Sequence, residues 1–228
     1  MSKLQTVLHA AFLFDWLRYA HFSGPSNTNR VALSFDDGPN TDYTKKCSIY
    51  SKGIKSRQYS FDSGHALQLS EQRPGQFDRI RSAIQVGGHE VGLHGKDLIP
   101  TWQDRIFGTM TEEDMAEGLE SLKRLSVCSI KLFRPHYGQA GPNILHTQKL
   151  GLTTVLGTLS RMIHPAKPAD AQIRKYQDTQ PGDILIFHDG ITVVWADTCI
   201  LDILPTVLQQ LLAKGYALGT VSKLLSGS

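Results

Sequence analysis

The chain has 228 residues, 40% of them hydrophobic and 20% charged, which suits one sizeable globular domain with a real core. Its formal net charge is only +3 and is not visibly clustered, so nothing in the charge pattern calls for nucleic acid. The three cysteines, Cys47, Cys128 and Cys199, are odd in number and far apart, without the spacing of a disulfide framework or a paired thiolate metal site. They read as ordinary thiols, a weak pointer to a reducing compartment.

At the N-terminus, Leu4, Val7, Leu8, Ala11 and Phe12 fall at helical spacing and predict an amphipathic helix, with Trp16 as a packing residue. His9, Asp15 and Arg18 interrupt its apolar stretch, which is too short and polar to span a bilayer. No small-residue cleavage pattern follows, so a cytoplasmic or peripheral membrane location is expected ahead of secretion. The helix either packs on the domain or makes a peripheral membrane contact. "SGPSNTN" (23–29) reads as a linker, so an N-terminal helix and linker over 1–29 precede a domain over 30–228.

Beyond it, short apolar runs alternate with helical patterns. "VALSF" (31–35) is continuous and apolar, as expected of a strand buried on both faces. "RQYSFDSG" (57–64), "HEVGL" (89–93), "IKLFR" (130–134), "TTVLG" (153–157), "DILIF" (183–187) and "YALGTV" (216–221) continue the series. Between them, Phe77, Ile80 and Ile84 share a helix face that stops at Gly87-Gly88. Thr111 caps a second helix, with Asp114 in its first turn and Met115, Leu119 and Leu122 inward. A last helix is expected from near Asp202, with Pro205 in its first turn, to Gly215. Alternation repeated about seven times implies a parallel sheet covered by helices. Periodicity alone does not decide between an open sheet and a closed barrel.

In either architecture the functional side is the carboxyl end of the strands. The residues that follow the strands are Asp36-Asp37, Asp62 and His65, His94 to Asp97, Arg134 to Tyr137, and His188-Asp189. Aspartate and histidine without thiolate suit zinc or cobalt, which acidify a bound water and polarise a carbonyl. A separate carboxylate then serves as base and a histidine as acid. In "DDGP" (36–39), one aspartate can anchor the ion while the other stays free. An Asx-type turn before Gly-Pro explains the same tetrapeptide without chemistry, and on those residues alone both readings stand.

Four segments in order, "LSFDDGPN", "GGHEVGLHG", "FRPHYG" and "GDILIFHDG", resemble the motifs of the NodB-homology polysaccharide deacetylases, carbohydrate esterase family 4. The resemblance spans about residues 30 to 225. It implies an α/β fold, a distorted (β/α)7 barrel with parallel strands and outer helices. It also implies metal-dependent removal of N-acetyl groups from amino-sugar units of a glycan such as chitin or peptidoglycan, with Zn2+ or Co2+. By motif position, Asp36 matches the catalytic base and Asp37 the metal-binding aspartate. His94 matches the first metal histidine, Arg134 the arginine that orients the base, and His188 the catalytic acid. Tyr137 matches the residue whose backbone N–H holds the developing oxyanion. Ile186 stands where a leucine usually lines the acetate pocket.

The departures are specific. The second metal histidine of the family falls at Leu98, which cannot coordinate, and Asp97 serves in its place only if the loop shifts. The fourth motif is not visible in "LGTLSRMIHPAKPAD", and His136 replaces a common proline. Trp102 and Trp195 lie in loops that should face the site, where flat rings either stack on sugar or pack a loop. His65, His89 and His164 read as structural or supporting residues. The expected function is therefore a metal-dependent glycan deacetylase. Its alternative is a weakened or inactive relative that binds a glycan or a protein, for which Leu98 argues.

Overall fold

A computed structural model describes residues 19–38, 47, 59–63, 75–95, 110–123, 129–138, 143–158, 168–188 and 200–227. Eight strands are present among them: β1 (Ala20–His21), β2 (Arg30–Gly38), β3 (Tyr59–Ser63), β4 (Glu90–Gly95), β5 (Leu132–Phe133), β6 (Thr153–Val155), β7 (Ile184–His188) and β8 (Ala217–Gly219). The helices are α1 (Gln76–Gly87), α2 (Glu112–Lys123), α3 (Asn143–Lys149), α4 (Ala169–Gln177), α5 (Ile200–Ala213) and α6 (Val221–Leu225). Strand order is β1-β6-β5-β4-β3-β2-β7, with β8 beside the start of β2, and the ladders between these strands are parallel.

This is the parallel α/β architecture expected of the alternating pattern, and its sheet curls toward a barrel. Just past β6, the Thr158 N–H donates to the Ile184 carbonyl of β7 at 3.0 Å. Ile184 N–H in turn donates to Thr158 Oγ1 at 3.0 Å. The segment after β6 therefore hydrogen-bonds to β7, at the far end of the sheet order.

Side-chain alternation divides β2 and β7 into two faces. Val31, Leu33, Phe35, Leu185 and Phe187 face outward and pack with α5 through Ile200, Ile203, Leu204, Val207, Leu208 and Leu211. Cys47 joins that cluster, fully buried, as an ordinary packing thiol. Leu93, Val91 and Phe133 likewise pack outward on Ile80, Ile84, Met115 and Leu122 of α1 and α2. Each fully buried aliphatic of this kind contributes about 1.5–3 kcal/mol. On the inner face, Ala32, Leu132, Val155 and Ile184 form an apolar floor closed by Val221 and Leu224 of α6.

Local signals mostly act as read. The Thr111 and Asp114 pair forms a reciprocal capping box: each backbone N–H donates to the other's side-chain oxygen at 3.1 Å. α1 ends on Gly88 in the left-handed region (φ 63°), where a residue without Cβ is unstrained.

Three elements differ from expectation. α5 begins at Ile200 because its first turn buries Ile200 and Ile203, so Pro205 lies inside the helix rather than in the first turn. "YALGTV" divides: β8 stops at Gly219, and Thr220 Oγ1 accepts the Lys223 N–H to cap α6. Residues 23–29 are fastened to the body, with Gly24 N–H donating to Gly182 O at 2.8 Å and Asn29 Nδ2 to Gly215 O at 2.6 Å. β1 has only two residues, too few for any period to reveal.

The helix expected over residues 4–12 and its membrane contact lie outside the described residues. Among those described, no helix is long and apolar enough to cross a membrane.

Candidate active site

Above the apolar floor, the inner face turns polar in two layers. Ser34 and Arg134, beside the apolar Ile186, form the first; Asp36, His188 and His94 form the second, at the carboxyl ends of β2, β7 and β4. Asp36 and His188 are register partners on adjacent parallel strands, and so are Ser34 and Ile186.

A regular strand would send Asp36 and Asp37 to opposite faces. Here the β2–β3 register pairs Asp36 with Phe61 and Gly38 with Asp62, so Asp37 is the extra residue of a bulge. Asp37 also has φ 66°, the single left-handed residue other than glycine among those described. Aspartate tolerates that conformation better than most side chains. The outcome is convergence: His94 Nε2 lies 3.4 Å from Asp37 Oδ1 and 3.9 Å from Asp36 Oδ2. His94 sits at a second irregularity, since Asp62 pairs with Leu93 and Ser63 with Gly95. Both residues nearest the centre thus come from broken register, which re-aims side chains at strand ends.

Arg134 holds the arrangement together. It precedes Pro135, which favours an extended backbone at the end of β5. Its side chain is 2% exposed. Nε donates to the Val155 carbonyl at 3.1 Å, and Nη1 donates to Ser34 Oγ at 2.9 Å and to Asp36 Oδ1 at 2.6 Å. One oxygen of Asp36 is thereby clamped and the other faces His94. Ser34 in turn donates to the Leu185 carbonyl at 2.7 Å. Gly157 (φ 72°) allows this close packing: a Cβ there would come within 2.8 Å of Ile186 Cδ1 and 3.2 Å of Arg134 Nη2.

His94 Nδ1 lies 2.8 Å from the Arg134 carbonyl, so Nδ1 carries a proton and donates there, and Nε2 is the nitrogen turned toward the aspartates. Burial lowers the pKa of His94, but the carboxylates of Asp36 and Asp37 and the Arg134 carbonyl outweigh it and raise the value above that of a free imidazole. The pocket favours a cation.

Asp37, His94 and His136 each present one ligand atom, and these atoms lie within 4.8 Å of one another. Carboxylate and imidazole donors without thiolate fit a borderline divalent ion. His136 was not foreseen as part of this group; its signal was an imidazole standing where the motif carries proline. Tyr137 follows it in a one-turn 3-10 helix, His136–Gly138. Asp97, Leu98, Trp102, Trp195, His65, His164 and Asp189 lie outside the described residues.

The polysaccharide deacetylase model matches residues 23–155, more than half of the chain, which belongs to that family. The chain is 26% identical over 211 residues to a peptidoglycan-N-acetylglucosamine deacetylase of Bacillus cereus, covering 91% of this chain and 93% of that protein. The crystal structure of the Bc1960 peptidoglycan N-acetylglucosamine deacetylase, in complex with a substituted N-oxidanyl-benzamide, superposes with a TM-score of 0.74 at 25% identity, covering 94% of this chain and 97% of that one. BA3943, a family 4 pseudoenzyme from Bacillus anthracis, shares the fold with a TM-score of 0.69 at 15% identity, over 90% of this chain and 68% of that one.

Proposed function

We propose that this protein is a metal-dependent hydrolase that removes N-acetyl groups from amino-sugar units of a peptidoglycan- or chitin-like glycan. The observation that carries the reading is the meeting of Asp36 Oδ2 and Asp37 Oδ1 at His94 Nε2, with the other oxygen of Asp36 tied to Arg134 at 2.6 Å.

Asp37 and His94 would hold the ion, Zn2+ or Co2+ by the character of the donors. When bound, the ion supplies Lewis-acid polarisation of the acetamide carbonyl and acidifies water. Asp36 acts as the base, its Oδ2 accepting a proton from the attacking water while Arg134 holds Oδ1 and orients the carboxylate. His188, beside Asp36 on the next strand, protonates the departing amine. The backbone N–H of Tyr137 donates to the developing oxyanion. Ile186, two residues before His188 on the same face, lines the acetyl pocket. Trp102 and Trp195 are assigned to the sugar ring.

Acetate release from N-acetylglucosamine oligomers and from peptidoglycan, in added zinc or cobalt, tests the reading. The wild-type protein is expected to release acetate and Asp36→Asn to lose about 100- to 10,000-fold in rate. Binding of the same oligomers with no release from either substrate overturns the hydrolase in favour of a glycan-binding relative.

A further inference from the structure

We propose that His136 is the third protein ligand of the metal, standing in for the family's second metal histidine, whose position in this chain is Leu98. The inference rests on the reading above in taking Asp37 and His94 to share one ion, and it changes where the coordination sphere is completed. The third donor would come from the turn after β5 rather than from the loop after β4.

Three observations carry it. First, one measured separation matches the edge of a coordination polyhedron and the third donor is close by. A tetrahedral site with bonds of about 2.0–2.1 Å has ligand atoms about 3.3 Å apart. Asp37 Oδ1 and His94 Nε2 are 3.4 Å apart, longer than a good hydrogen bond and close to that edge. The donor atom of His136 falls within 4.8 Å of both. Second, the rings of His94 and His136 have centroids 4.1 Å apart and are tilted by 50°, so both imidazoles crowd the same point without lying flat on each other.

Third, the backbone that carries His136 is already committed to the site. The Arg134 carbonyl accepts from His94 Nδ1 at 2.8 Å and so sets that ligand's tautomer. Pro135 is buried and fixes its own φ. Gly138 N–H closes the turn on the Pro135 carbonyl at 3.2 Å. One rigid segment, Arg134 to Gly138, thus clamps the base, orients one histidine and presents another. One carboxylate and two imidazoles leave a fourth position open, the pattern of catalytic rather than structural zinc.

Zinc affinity by chelator competition, with cobalt(II) visible absorption as a second readout, tests this on wild type, His136→Ala, His136→Gln and Asp97→Asn. Far-UV circular dichroism melts in EDTA confirm that each variant is folded. The His136 variants are expected to bind zinc more than about 100-fold more weakly and to lose the wild-type cobalt spectrum. Asp97→Asn is expected to stay within about twofold of wild type. Unchanged affinity and spectrum in folded His136 variants, or loss of the ion in Asp97→Asn instead, overturns the inference. A wild type that needs His136 for metal but releases no acetate keeps the ligand and ends the hydrolase. Acetate release with tight binding in His136→Ala does the reverse.

Discussion

The two faces of β2 are built from alternate residues of one nine-residue strand, yet they do opposite work. Val31, Leu33 and Phe35 face outward into an apolar layer with α5. Ser34 and Asp36 face inward, equally buried, where both accept hydrogen bonds from Arg134 and Asp36 Oδ2 lies 3.9 Å from His94 Nε2. The outer face gains stability from burial alone. The inner face spends some of it, because buried charges cost several kcal/mol unless they are paired. Buried polarity gathered on one face is what marks the site.

Breaking the pairing on the inner face should have the largest effect. Arg134→Met leaves the Asp36 carboxylate buried without its 2.6 Å partner, and chemical denaturation is expected to show a loss of about 3–5 kcal/mol together with the loss of activity. Truncating the outer face should separate stability from chemistry. Leu204→Ala, in the middle of α5, is expected to cost about 2–5 kcal/mol in the same measurement while zinc affinity and turnover at low temperature stay near wild type.

A finer division exists at the bulge. Asp37→Asn and Asp37→Ala both remove the charged ligand and should both lose zinc. Asparagine tolerates the left-handed backbone, whereas alanine should be less stable than asparagine by about 1 kcal/mol in metal-free melts.

The smallest expected effect lies at the start of β4, the end of the strand opposite His94. Burial raises the pKa of Glu90, opposed by its hydrogen bonds from Ser222. A raised carboxyl pKa means the folded state holds the proton more tightly. Stability therefore falls as pH rises from 4.5 through the folded value, and stays lower above it. Glu90→Gln keeps an acceptor for Ser222 and is expected to melt slightly higher than wild type at pH 7, with the gap closing below pH 4.5.

Most of the fold was legible because burial dictates period. The apolar runs at 31–35 and 183–187 and the helix faces at Ile80, Ile84, Met115 and Leu122 appear where the pattern puts them. The proximity of Asp36, Asp37, Arg134, His94 and His188 was legible because all lie at strand ends, and parallel strands bring those ends to one rim. Their geometry was not. Period two assigns Asp37 to the wrong face, and only a bulge with a left-handed residue returns it to the site. His136 is not legible as a partner of this site because its motif position ordinarily holds proline, and only the fold brings its ring close to Asp37 and His94. A two-residue strand such as β1 carries no period at all.

Metal content after equilibrium dialysis against zinc, measured beside acetate release for wild type, Asp36→Asn and His94→Ala, bears most directly on the whole account. One ion per chain is expected in wild type and in Asp36→Asn, none in His94→Ala, and acetate from wild type alone. Wild-type protein that takes up no zinc, or that keeps it undiminished without His94, would contradict a metal centre built on these strand ends.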